Sequence, residues 1–403
     1  MEYGVVSTIG ARAPIDLLYP RMTRRIALSV LASLALVTSS CGARGSIDPV
    51  TSTRPQPPAT LPSPTSTTRE VASTTTTPPT TTATTTPIPS INPDPRQTLV
   101  IHGVGDVALD PNYVTTFRTE GYGYAWSGLE GIFENDDLTV INMECAVSNL
   151  GVAVPKAFNF RCDPEALDEA RDGGIDVANL ANNHALDYGR DALIDSLVNL
   201  NNAGILPVGA GENYDAAYAA AIVEVRGWTI AILGFGGVLS TRSWLATEDR
   251  AGIASGDDTE DMVAAVERAA RVADLVIVTV HWGRELDTQP RADDIARAEA
   301  MVAAGADIIF GHHQHRLSPM GWVDGRPVAW GLGNFIWPRI SVSSATTAIA
   351  RVIVHPDGRM GACLIPAEIV RSGHPVFTGE RPGYCVPLYD GQPWAGTDTT
   401  DVD

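Results

Sequence analysis

Basic residues are scarce in this chain, with 28 lysines and arginines against 47 aspartates and glutamates, a formal charge of -19 and a pI near 4.7. Nucleic acid, or any polyanion held over a broad surface, needs clustered Lys and Arg, so that class of partner is excluded; a local basic pocket is not. Cysteine is scarce too. The chain has five, and no two stand in Cys-x-x-Cys spacing, which excludes a thiolate zinc site. Long apolar runs are missing: residues 26–37 fall short of the roughly 20 apolar residues a membrane-spanning helix needs. That run follows Arg24 and Arg25 and leads into small residues and Cys41, which describes an export signal. Met22 gives a tidier signal than Met1, so either is a candidate start.

The exit Leu36-Val37-Thr38-Ser39-Ser40-Cys41 resembles a bacterial lipoprotein processing site, although Thr38 stands where Leu or Val is preferred. The resemblance implies an exported protein, lipidated on Cys41 and held on the outer face of the cell membrane; ordinary cleavage nearby would give a secreted one. Cys145, Cys162, Cys363 and Cys385 remain, an even number in an exported chain. Two disulfides are expected, and of three pairings Cys145–Cys162 with Cys363–Cys385 is the simplest. Residues 42–96 are rich in Thr, Pro and Ser and cannot bury an apolar core, so they read as a spacer. Residues 394–403 read as an acidic, frayed tail. One folded domain is left at 97–393.

Histidine is rare as well, yet three of the eight fall between 312 and 315, directly after the apolar run Asp307-Ile308-Ile309-Phe310. Neutral imidazole is a common ligand for divalent metals, and His-x-His puts two rings on one side of an extended backbone. The layout repeats. Buried-strand patterns at 98–106, 138–144, 175–184 and 275–281 each deliver Asp, Glu, Asn or His at their end. Helical patterns lie between them at 164–171, 191–203, 261–273 and 292–304, and hairpins are expected at 221–234 and at 348–369 about Pro356-Asp357-Gly358. Alternating strands and helices imply an α/β layered fold with its site at the strand carboxyl ends.

Five strand-end clusters follow in order: Gly105-Asp106, Asn142-Met143-Glu144, Asn182-Asn183-His184 with Asp187, His281-Trp282-Gly283-Arg284-Glu285, and Gly311-His312-His313-Gln314-His315. Together with Leu332-Gly333-Asn334-Phe335, this series resembles the CapA family of bacterial poly-gamma-glutamate capsule-synthesis proteins, of the metallophosphatase-like superfamily. The resemblance implies a four-layer αββα sandwich with one or two divalent ions, Mn, Fe or Zn, at one edge of the sheets. It also implies Asp106, Glu144, His184, His281, His313 and His315 as ligands and Asn183 as a ligand or oxyanion donor; Asn183, His184 and Glu285 are the catalytic candidates, Glu285 either a general acid or base or a plain solvated carboxylate. His312 replaces His313 if the superfamily Gly-His is aligned strictly. The chain departs from ordinary metallophosphatases at Asp106-Val107-Ala108, where they carry Asp-x-His, and at Asn142-Met143-Glu144, where they carry an Asp.

Around this set, Asp187 either orients His184 or caps the helix beginning near Arg190. Arg161 and Asn334 are substrate-binding candidates, whereas Lys156 reads as a solvated surface lysine. The expected activity is that of a metal-dependent hydrolase or transferase in capsule or envelope polymer synthesis. It would act on an anionic polymer alongside the capsule-synthesis machinery. A metallophosphoesterase and a non-catalytic assembly factor are the alternatives.

Overall fold

The computed structural model describes residues 6–8, 96–381 and 383–388. Cys41, the acidic tail 394–403, nearly all of the expected export signal and all of the linker but Arg96 lie outside them. Among the described residues no helix is long and apolar enough to cross a membrane.

Two sheets stack face to face. The first runs, in spatial order, His374–Phe377, Met360–Arg371, Thr346–Val354, Leu99–Val107, Leu138–Met143, Val177–Asn179 and Leu206–Val208. The second runs Val6–Thr8, Ala221–Val225, Trp228–Gly236, Leu275–His281, Ile308–His312, Arg326–Ala329 and Met320–Val323. Within each sheet the strands that carry the site run parallel to one another, so their carboxyl ends share one edge. Both expected hairpins are present, Ala221–Val225 with Trp228–Gly236 and Thr346–Val354 with Met360–Arg371.

Strand sequences explain the layers. Leu275–His281 has no polar-apolar alternation because both its faces are buried, as central parallel strands require. Leu275 and Ile277 point between the sheets, where they meet Leu99, Ile101, Leu138, Val140 and Phe310. Val276, Val278 and Val280 point the other way, onto Met262, Val266, Ala269, Ala298 and Met301 of the helices Thr259–Ala270 and Ala292–Ala303. Ile141 and Met143 of the first sheet share a core with Leu167 and Leu193, from the helices Ala166–Asp172 and Gly189–Asn202. The order helix, sheet, sheet, helix is therefore the expected αββα sandwich.

The four helices start and end within about three residues of their expected positions, because ends are set by caps that periodicity does not register. Asp258, for example, starts Thr259–Ala270 by accepting from Asp261 N, with Glu260 and Asp261 in the favourable first turn.

The disulfides are Cys145–Cys162 and Cys363–Cys385. The first clamps the residue next to Glu144, across a sequence separation of 17. Replacing both Cys145 and Cys162 by serine is expected to cost about 3 kcal/mol of stability, measured by denaturant titration.

Candidate metal centre

Register places the site. Asp106 lies opposite Asn142, Asn142 opposite Asn179, and Asn334 opposite Asp106; in the second sheet His281 lies opposite His312. Gly105 and Gly333 approach closely. A Cβ at Gly105 would stand 2.0 Å from Gly333 O, the atom that accepts from Asp106 N at 2.9 Å. Gly-Asp and Leu-Gly-Asn, far apart in sequence, are thus one piece of structure.

Glu144 is the hub. It is fully buried, and its Oε1 stands 3.7 Å from His281 Nε2, 3.8 Å from His315 Nε2 and 3.9 Å from His184 Nε2, beyond hydrogen-bond range of all three. Neither of its oxygens has a hydrogen-bond partner, and His313 Nδ1 has none. Glu144 groups with His313 and His315, and again with Asp106 and His281, each set holding its ligand atoms within 4.8 Å of one another. Buried polar atoms left without partners are costly, and ligand atoms about 2.1 Å from one ion stand roughly 3.4 Å apart in a tetrahedral site. The residues fit a divalent ion.

Three of the imidazoles are fixed by neighbouring side chains. His281 Nδ1 faces Asn142 Nδ2 at 3.1 Å, and its Nε2 faces Asn183 Oδ1 at 2.9 Å. His315 Nδ1 lies 2.8 Å from Asn334 Oδ1 and 3.1 Å from Asp106 Oδ2, one N–H facing two acceptors. His184 Nδ1 donates to Asp187 Oδ2 at 2.6 Å, and Phe160 stacks on its ring at 4.1 Å. His313 and His315 adopt φ of 96° and 52°, a left-handed backbone that costs energy for a non-glycine residue and concentrates at functional sites.

Burial keeps most of these imidazoles neutral, the form that ligates. It lowers His312 and His313 to about 4, His313 with help from His315, and it lowers His184 and, far more, His281. Burial, reinforced by the Asp106 charge, pushes Glu144 well above the carboxylate range. Burial alone would raise Asp106, but the hydrogen bond and charge of His315, with His312 and Asn142, hold it below its usual value. Burial would likewise lower His315, yet Glu144 and Asp106 outweigh it and push the ring up to about 9. A histidine raised in the folded state stabilises fully below its unfolded pKa, and that stability is lost as pH rises through the folded value. The metal-free protein should therefore lose His315's contribution between pH 6.5 and about 9, visible in melting curves recorded with a chelator.

The structure brings together Asp106, Glu144, Asn183, His184, His281, His313 and His315, as the sequence leads one to expect. His312 sits behind them, its Nε2 3.0 Å from Thr279 Oγ1 and its Nδ1 3.9 Å from Asp106 Oδ1. Asp187 orients His184, and the next helix has Tyr188 at its N-cap with no side-chain cap bond. Asn334 holds His315 and donates to Ser344 O. Glu285 is exposed, outside the cluster, but its charge reaches Glu144 and His315. Arg161 directs its guanidinium at Leu150 O and Gly151 O and stacks 3.6 Å over Tyr188.

Two participants were less visible in the sequence. Asn142 joins the network by donating to Asp106 Oδ1 and accepting from Asn179 and Asn182; its place two residues before Glu144, on the same strand face, is the signal. Lys156, expected at the surface, bonds Asp187 Oδ1 at 2.6 Å.

Fold and site together define an αββα sandwich protein with a buried carboxylate-imidazole centre at the carboxyl-terminal strand edge. Residues 100–339, a span that includes every residue of that centre, match the family described as bacterial capsule synthesis protein PGA_cap. The chain belongs to this family. It is 31% identical over 270 residues to the PGA biosynthesis protein CapA of Bacillus subtilis, covering 66% of this chain and 70% of that one. It is 28% identical to the capsule biosynthesis protein CapA of Bacillus anthracis, covering 68% of each chain. A probable polyglutamine synthesis accessory protein of Mycobacterium tuberculosis is 32% identical over 53% of this chain and 59% of its own.

Proposed function

We propose that this protein is a metal-dependent hydrolase or transferase of capsule or envelope polymer synthesis, acting outside the cytoplasm. The observation that carries the reading is Glu144, buried with both oxygens unpartnered and facing three imidazole Nε2 atoms at 3.7 to 3.9 Å. Asp106, Glu144, Asn183, His281, His313 and His315 would hold the ion, and their oxygen and nitrogen donors suit Mn, Fe or Zn. When bound, such an ion polarises a carbonyl or phosphoryl oxygen and acidifies water.

The chain's own residues supply the rest. His184, its Nδ1 committed to Asp187, turns Nε2 toward Glu144 and can give or take a proton there. Phe160 stacks on that ring, and Trp337 packs 4.9 Å from the His315 ring. The names of the Bacillus relatives favour poly-gamma-glutamate as the substrate, handled beside other capsule-synthesis proteins. At a net charge of -19 such a polyanion must be gripped locally, at the centre itself.

The test incubates purified protein and Mn, Zn or Fe with poly-gamma-glutamate and with a panel of phosphoesters. Metal-dependent change in polymer length, lost in His281→Ala, is the expected result. Turnover of phosphoesters alone would replace this reading with a metallophosphoesterase. Inertness toward both would leave an assembly factor. For the anchor, Cys41→Ala is expected to move the protein from the membrane fraction to the medium; unchanged fractionation would contradict lipidation at that residue.

A further inference from the structure

Residues 148–160 connect the short strands Ala146–Val147 and Arg161–Cys162, and three of them bond a single buried residue. Val154 N donates to Asp187 O at 2.9 Å, Lys156 Nζ to Asp187 Oδ1 at 2.6 Å, and Phe160 N to Asp187 Oδ2 at 2.7 Å. Lys156 Nζ also donates to Asn183 O at 2.5 Å and lies 5.3 Å from the centre of the Trp244 ring. Its side chain is only 19% exposed, and Asp187 is completely buried.

Asp187 Oδ2 is the atom that takes the His184 Nδ1 proton. Nδ1 therefore has no free lone pair, and the 3.3 Å separation between Lys156 Nζ and Nδ1 is not a hydrogen bond in that tautomer. Lys156 can act on His184 only through groups it does bond, the Asp187 carboxylate and the Asn183 carbonyl. A buried carboxylate without a cation would be expensive, and a protonated or rotated Asp187 would release the ring.

We propose that Lys156 is a positioning residue: by fixing Asp187 and the Asn183 carbonyl it fixes the tautomer and orientation of His184, and it ties the 148–160 strap to the centre. The inference rests on the reading of His184 as a proton-handling group. It explains why a lysine stands in this half-buried place, where a surface role needs no partner.

The experiment compares wild type, Lys156→Met, Lys156→Arg, Asp187→Asn and the double variant Lys156→Met/Asp187→Asn, each checked for cooperative melting. In protein carrying 15N-histidine, wild type and Lys156→Arg should show a single Nδ1–H tautomer for His184, and Lys156→Met a mixture. On the polymer substrate Lys156→Met should lower kcat about 10-fold with KM changed less than about twofold, and Lys156→Arg should restore most of it. In the Asp187→Asn background the Met substitution should change kcat less than about twofold, because the route through Asp187 is already cut. An unchanged His184 tautomer in Lys156→Met overturns the proposal, as does a full additional loss in the Asp187→Asn background. Should wild type itself turn over no substrate, the functional reading fails, and the imidazole signal alone decides the role of Lys156.

Discussion

Glu144→Gln is expected to stabilise the metal-free protein by about 1–3 kcal/mol while abolishing metal binding and activity. Two opposed effects meet at this side chain. Without an ion, Glu144 is a fully buried carboxylate whose oxygens have no donor, beside a second buried carboxylate, Asp106. A neutral amide of the same shape removes the cost of burying that charge. With an ion, the same charge is the attraction, and its loss should weaken affinity more than about 100-fold, beyond what losing a supporting residue costs. Because the folded-state pKa of Glu144 is raised, its penalty is absent below the unfolded value near 4.5 and grows as pH rises toward the folded one. The gap between glutamine variant and wild type should therefore widen with pH in chelator-treated denaturation series. A variant less stable than wild type at neutral pH would make Glu144 an ordinary structural carboxylate.

His315→Ala and His312→Ala should separate cleanly, although the residues stand three positions apart. His315 presents Nε2 to Glu144 while Nδ1 is held by Asn334 and Asp106, so its removal takes a ligand and the partner of two carboxylates. Metal affinity should again fall more than about 100-fold. His312 bonds Thr279 from within the strand Ile308–His312, and its loss leaves a cavity. Truncation there should cost about 2–4 kcal/mol of stability and leave the metal in place. Metal content after exhaustive dialysis is the measurement. Retention by His315→Ala with loss by His312→Ala would transfer the ligand role to His312.

The layer order was legible because the strands Leu99–Val107, Leu138–Met143 and Leu275–His281 are apolar runs leading into Asp, Glu or His, and the intervening helices show their period. The clustering was legible for the same reason: parallel strands deliver their ends to one edge, so Asp106, Glu144, His281 and His315 did not need to be near one another in sequence. Placing His312 and His313 needed the structure: His312 ends its strand and faces Thr279, whereas His313, past the strand end with a left-handed φ, groups with Glu144 and His315. The sequence also ranked Arg161 above Lys156 as an anion-binding residue. Charge and position alone could not reveal that Arg161 would be drawn to backbone carbonyls and Tyr188, or that Lys156 would find a buried carboxylate 31 positions later. Supporting residues such as Asn142 and Asn334 are hard to read in sequence because amides are also the usual currency of turns.

The most direct test of the metal centre is an anomalous-scattering map from crystals of protein purified without chelator, joined to elemental analysis of the same sample. The structure predicts at least one equivalent of a transition metal, with density between Glu144, His281, His313 and His315. Metal-free protein that stays so in excess Mn, Fe or Zn, with those imidazoles hydrogen-bonded to Glu144 instead, would contradict it.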